Sequence, residues 1–161
     1  MIRTEISLFM KNIPGEFGRL TKMFADSQIN IDAVTIQDAS SYVQELFRAR
    51  GKSLKRIASP ASYNSMRKDS AQFALVRFLC DYTEKAVDLL TENDYVFDTI
   101  PVIAIKLENS PGAIAEVSNK FGEEGLNINY VYGSVSAPDE KCLFVFSPED
   151  IESAAKIFCE K

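Results

Sequence analysis

The sequence predicts an α+β fold built from two tandem βαββαβ units, each an antiparallel sheet with two helices on one face. Three observations predict it. The front of the 161-residue chain repeats near its end at a fixed offset of 97. Apolar spacing switches from helical to strand period at matching places in the two copies. Each copy also opens its first helix with the same pair, Pro14-Gly15 and Pro111-Gly112. A duplication of this kind decides architecture before any single element does.

With Pro14 laid on Pro111, EISLFMKNIPGEFGRLTKMFADSQINIDAVTIQDAS runs without a gap along VIAIKLENSPGAIAEVSNKFGEEGLNINYVYGSVSA. Asn12 meets Asn109, Phe24 meets Phe121, Asn30-Ile31 meets Asn127-Ile128 and Val34 meets Val131. The runs EISLFM and VIAIKL read as first strands. Phe17, Leu20 and Phe24, then Ile114, Val117 and Phe121, fall at i, i+3 and i+7, the buried stripe of an amphipathic helix. INIDAVTIQ and LNINYVYGSV alternate at period two, as half-buried strands do. QFALVRFLC and KCLFVFS read as third strands. TEKAVDLL and IESAAKIF read as second helices, each with acidic residues suited to a helix N-terminus. A last strand, YVFDTI, closes the first copy. The order is that of a ferredoxin-like unit, with residues 1–100 forming the first and 101–161 the second, their sheets side by side.

Two departures from symmetry stand out. Aligning LVRF with LFVF drops the offset to 68, so the first copy carries 29 extra residues, placed at 41–70. The second copy has no counterpart of YVFDTI, so it lacks its last strand and leaves a sheet edge to be covered or paired.

Bulk properties narrow the function. A hydrophobic fraction of 46% with 25% charged residues belongs to a soluble globular chain. No apolar run reaches the roughly 20 residues of a membrane span, and MIRTEISLFM lacks the core of a signal peptide. A cytoplasmic protein without a membrane partner is expected. Cys80, Cys142 and Cys159 are odd in number and contain no CxxC pair, which fits reduced thiols. The chain has no histidine. That removes the commonest general base and metal ligand and every Ser-His or Cys-His nucleophile system. With no paired carboxylates in a recognisable arrangement either, no catalytic site, metal or cofactor is expected.

The Pro-Gly pair has two readings. Proline suits the first turn of a helix and glycine suits a sharp turn, so the pair can be architecture alone. Glycine also leaves the first backbone N–H groups of the helix open, and these favour carboxylates and phosphates. Asn12 and Asn109, two residues before each proline, offer a donor and an acceptor together. Asn30 and Asn127 do the same at the start of the next strand, though asparagine also fills turns and caps.

A strand, N-x-P-G, an amphipathic helix, [GQ]-[IL]-N-I and a second strand, all within βαββαβ, resembles the ACT domain. Two copies cover most of the chain, leaving out 41–70. The resemblance implies a non-catalytic regulatory protein that binds a free amino acid or similar small ligand where modules sit side by side. It implies ligand contacts from Asn12, Ile13, Pro14, Gly15, Glu16 and Phe17 and from Asn109, Ser110, Pro111, Gly112, Ala113 and Ile114. It implies further contacts from Asn30-Ile31 and Asn127-Ile128 of a neighbouring module. Assembly into a homo-oligomer and a regulated protein partner are expected from the same likeness. Because Glu16 should repel a ligand carboxylate, the loop at Gly112 is the better candidate.

The insertion carries seven basic and two acidic residues, a net +5 on a body of −10. It reads as a solvated excursion complementing its own acidic body, or as a partner-docking arm or an anion-binding lid. A nucleic-acid-binding or protein-binding ferredoxin-like module using this segment is the alternative function. Nucleic acid is disfavoured because QFALVRFLC lacks the RNA-recognition pattern and the chain is acidic overall.

Overall fold

The computed structural model describes residues 1–39, 73–134 and 140–159, so the expected insertion lies outside the described residues. Among them the elements run β1 (Ile2–Lys11), α1 (Glu16–Asp26), β2 (Ile31–Asp38), β3 (Phe73–Cys80) and α2 (Thr83–Glu92). Then come β4 (Phe97–Glu108), α3 (Ala113–Glu123), β5 (Ile128–Ser134), β6 (Lys141–Pro148) and α4 (Ile151–Cys159). All pairings are antiparallel, in one six-stranded sheet of order β2-β3-β1-β4-β6-β5. The expected α+β class and its two ferredoxin-like units are therefore present.

YVFDTI and VIAIKL, read as separate strands, are one. β4 runs unbroken through Pro101 and belongs to both units: Phe97–Ile103 pair with β1, and Ile103–Glu108 pair with β6. Proline is tolerated there for a local reason. Met1 and Ala104 exchange two hydrogen bonds, so by alternation Thr4↔Pro101 is a pair without them. The nitrogen of Pro101 then points to the other side, where β6 pairing starts only at Ile103.

Thr4 and Pro101 are also counterparts at offset 97, and they face each other. Ile2↔Ile103 maps onto Ile6↔Thr99 in the same way, so the β1–β4 ladder carries a local two-fold symmetry. The symmetry explains the edge left by the missing strand. No strand follows α4 among the described residues. In its place the start of β1 pairs with Val102 and Ile103, and Met1 bonds to Ala104.

Each unit has its own core between sheet and helices. In the first, Leu20 and Phe24 of α1 meet Ile6, Leu8, Val76 and Phe78. In the second, Val117 and Phe121 of α3 meet Ile103, Phe144 and Phe146. Phe24 packs on Phe78 at 5.1 Å and Phe121 on Phe146 at 5.6 Å between ring centroids, the same contact made twice. Burying each such ring contributes on the order of 2–3 kcal/mol.

A third cluster lies on the face away from the helices: Ala33, Leu79, Val102, Ala104 and Val145. It exists because the sheet rolls. In a flat sheet β3 and β5 would lie four spacings, roughly 19 Å, apart. Yet the Arg77 guanidinium of β3 sits 4.2 Å from the Tyr130 ring of β5. The helix-free faces of the two units therefore meet, with the helices outside.

Candidate functional site

Both Pro-Gly loops adopt the same backbone. Gly15 (φ 92°) and Gly112 (φ 96°) are left-handed, a conformation that costs glycine nothing and other residues a Cβ clash with their own backbone. Neither α1 nor α3 receives a side-chain cap, whereas Asp150 accepts the Glu152 and Ser153 N–H groups at the start of α4. A Cβ on Gly15 or Gly112 would meet nothing within 4 Å, so the space beside each first turn is open.

A groove adjoins each loop. One of about 820 Å³ is lined by Met10, Ile13, Glu16, Arg19, Met23 and Tyr95. Another, of about 580 Å³, is lined by Leu107, Ser110, Gly112, Ala113, Glu116 and Phe158. Duplicated residues such as Met10 and Leu107, or Ile13 and Ser110, occupy matching places. The first groove is rimmed by Tyr95 and Val96, which lead into β4; among the described residues the second has no such segment.

Glu16 does not present an isolated charge. The guanidinium of Arg19, one turn on, donates to its carboxylate at 2.8 Å. The reason given for preferring the second loop therefore loses its force. Asn12, Ile13, Pro14 and Gly15 are exposed, as are Asn109, Ser110, Pro111, Gly112 and Ile114; Glu16, Phe17 and Ala113 are half-buried.

Asn30-Ile31 and Asn127-Ile128 lie elsewhere. Ile31 faces Cys80, two residues past the Phe78 that faces Ile6. It is thus level with Thr4, about seven residues or ~24 Å along β1 from the first loop. Ile128 faces Pro148, two residues past the Phe146 that faces Ile103, at a similar remove from the second loop. The two asparagines share a structural duty. The Asn30 N–H donates to the Asp81 carboxylate and the Asn127 side chain to that of Glu149, residues matched at offset 68. Among the described residues of one chain, neither Pro-Gly loop reaches either asparagine.

One polar cluster escaped the sequence reading. Glu5 is fully buried, and its two carboxylate oxygens accept the phenols of Tyr130 at 2.6 Å and Tyr132 at 2.8 Å. Burial pushes the carboxyl up, while the two phenols and Arg77 pull it back in part. Burial, with the hydrogen bond to Glu5 next, pushes Tyr130 up to about 12. Tyr132 is raised by burial and by the Glu5 charge. The counterparts of Glu5, Arg77 and Tyr130 are Val102, Val145 and Ala33, all in the apolar cluster on the same face. That contrast between copies was the available signal, and it becomes meaningful only when the faces meet.

Among the described residues no helix is long and apolar enough to cross a membrane, and no group of three or more acidic or cysteine side chains is placed to hold a metal ion. Comparison with curated proteins gives no match. Among solved structures, a protein of Bacteroides thetaiotaomicron superposes with a TM-score of 0.71 at 22% identity, covering 99% of this chain and 88% of the other. The ligand-free regulatory subunit of aspartate kinase from Thermus thermophilus superposes with a TM-score of 0.55 at 12% identity, covering 98% and 95%. These likenesses concern the fold. The sequence pattern of the ACT domain pair matches residues 53–161, more than half of the chain. With two βαββ-based units and two left-handed glycine loops of one geometry, the chain belongs to the ACT domain pair family.

Proposed function

We propose that this protein is a non-catalytic cytoplasmic regulator that binds a free amino acid or a similar small ligand at its Pro-Gly loops. The observation that carries the reading is the duplicated opening of α1 and α3. Each has a left-handed glycine, no side-chain cap and a groove alongside. The first N–H groups of such a helix attract a carboxylate. Family membership supports a regulatory role, and the fold is shared with a regulatory subunit of aspartate kinase.

Because a loop and an asparagine lie ~24 Å apart within one chain, a site that uses both takes the asparagine from a second chain. Ligand binding and self-association are then linked: the ligand stabilises one pairing of modules, and that pairing favours or disfavours a regulated protein. Thermal unfolding in the presence of each of the twenty amino acids tests this. A specific ligand at 100 times its dissociation constant adds about 2.7 kcal/mol. No stabilisation by any of them, at any protein concentration, would remove the proposal.

A further inference from the structure

The second unit leaves part of a strand edge open beside its groove of about 580 Å³. Residues 103–108 of β4 have β6 on one side. On the other side β1 pairs only as far as Ile103, with Met1 bonding to Ala104. Among the described residues no strand lies there beside residues 105–108. Alternation sets the direction of the backbone groups. Met1 and Ala104 exchange two hydrogen bonds, and Asn109 donates to Glu140 on the β6 side. Lys106 therefore aims its N–H and C=O at the open side.

An apolar strip beside this edge is covered in one unit and bare in the other. Leu8, Met10 and Leu90 of the first unit are buried. Their counterparts at offsets 97 and 68 are Ile105, Leu107 and Phe158. These line the groove and pack on the second core, yet stay half-buried. The cover in the first unit is the segment that enters β4: Tyr95 and Phe97 pack against that core, and Phe97 stands opposite Leu8. The two-fold symmetry of the β1–β4 ladder carries this segment onto the open side of residues 105–108, where no described segment lies. The charges at the groove leave little for an ionic ligand. Lys120 pairs with Glu116 and Lys141 with Glu108, each at 3.3 Å. Lys106 and Glu108 alternate with Ile105 and Leu107, so their side chains point to the helix-free face.

We infer that this edge takes up an extended segment of a partner protein, antiparallel to β4, with large apolar side chains at two alternate positions. They occupy the places that Phe97 and Tyr95 hold in the first unit, one on Ile105 and the other on Leu107 and Phe158. The residue between them exchanges its N–H and C=O with Lys106. Strand addition draws affinity from main-chain hydrogen bonds and specificity from pockets for alternate side chains. An open edge is a template for such pairing. A second copy of this chain cannot lend its own Tyr95 and Phe97 without opening its first core, where both are packed. The contacts come from β4 and α4 and not from the helix N–H groups at Gly112, so this edge and amino-acid binding can fail independently.

The capped peptide acetyl-Thr-Tyr-Val-Phe-amide tests this on the full chain by NMR. It should shift the Lys106 amide and the Ile105 and Leu107 methyls saturably. N-methylation of its valine removes the bond to Lys106 and should weaken binding by roughly tenfold or more. N-methylation of its tyrosine, whose N–H faces away from β4, should not. Serine in place of both aromatic residues of the peptide should abolish binding. No saturable shift, equal binding of the valine-methylated peptide, or shifts confined to the outer strands β2 and β5 would each overturn the site. The same shifts with N-acetyltyrosinamide would make the groove a small-molecule pocket. The same shifts on raising protein concentration alone would make the occupant a second copy. Either result also overturns the assignment to a partner segment.

Discussion

Glu5 and Tyr130, 125 residues apart, are joined by a 2.6 Å hydrogen bond between the two units, and the symmetry-related place holds Val102 and Ala33. One half of the contact between sheets is therefore polar and the other apolar on a common backbone. Breaking a buried charged arrangement from one side is costly, whereas replacing all of it with apolar groups is often neutral. Tyr130→Phe or Tyr132→Phe should each cost about 2 kcal/mol. Glu5→Val alone should cost about 3–5 kcal/mol, since it strands Arg77 and both phenols. Combining Glu5→Val and Arg77→Val with both Tyr→Phe changes should return the protein to within about 1 kcal/mol of wild type, or above it. Urea unfolding of the five proteins measures this; an additive loss in the quadruple variant would contradict it.

The same cluster predicts a pH dependence. Burial holds the Glu5 carboxyl above its ordinary 4.5. A group that keeps its proton more tightly when folded contributes stability that is complete below the unfolded value and is lost as pH rises through the folded one. Glu5→Gln has no such proton to lose. The stability of wild type minus that of Glu5→Gln should therefore fall as pH rises from 4.5. A flat difference would mean that Glu5 titrates alike in both states.

At the alkaline end the phenols act in the same sense. Tyr130, raised to about 12 from 10 by burial and by its bond to Glu5, contributes stability present below pH 10 and lost as pH approaches 12. Phenolate absorbance should show Tyr130 and Tyr132 ionising late and together with unfolding, and Tyr130→Phe should remove part of the late step. A single step near pH 10 with the fold intact would exclude this.

How much of this was legible in sequence depended on whether a residue's role is local. Pro14-Gly15 and Pro111-Gly112 recur because one backbone turn recurs, and Phe24 and Phe121 because one core contact recurs. Asn30 and Asn127 recur as well, and each has a structural hydrogen bond to an acidic residue just ahead of the second helix of its unit. Repetition alone could not separate that duty from a ligand contact. The charge of Glu16 looked decisive until its i+3 neighbour Arg19 was seen to reach it. Pro101 concealed the continuity of β4, because proline in a central strand is unusual and the missing N–H is harmless only in this register. Glu5 lies on the strand face opposite Ile6 and Leu8, away from the helices. Only the roll of the sheet, a property of all six strands, brings β5 across it.

Gly133 gives a test of packing on β5. It stands opposite Phe144 of β6, and a Cβ added there would lie 2.5 Å from the ring carbons Cδ1 and Cε1. The ring lies over the glycine and fills the space a side chain would take. Gly133→Ala should destabilise by about 1–3 kcal/mol, because a largely buried ring must move. Gly133→Ala with Phe144→Leu should recover part of that loss. If Gly133→Ala alone is neutral, the ring is free to shift and the close approach has no consequence for stability.

The loop glycines can be separated from ordinary helical glycines by the sign of one substitution. Gly18 in α1 and Gly122 in α3 have helical neighbours and open surroundings, so Gly18→Ala and Gly122→Ala should each add about 0.5–1 kcal/mol. Gly15 and Gly112 also face open space, but at φ 92° and 96° an added Cβ meets its own backbone. Gly15→Ala and Gly112→Ala should each cost about 1–2 kcal/mol, and by similar amounts because the two conformations match. That cost is architectural and says nothing of a ligand. The binding reading requires a second effect, visible only when an amino acid that stabilises wild type is present. Gly112→Val should then lose the ligand-induced rise in Tm, while Gly122→Ala keeps all of it. Comparing Gly15→Val with Gly112→Val assigns the ligand to one groove or to both. Equal ligand stabilisation in wild type, Gly15→Val and Gly112→Val would leave the two loops as turns and place any amino-acid site elsewhere.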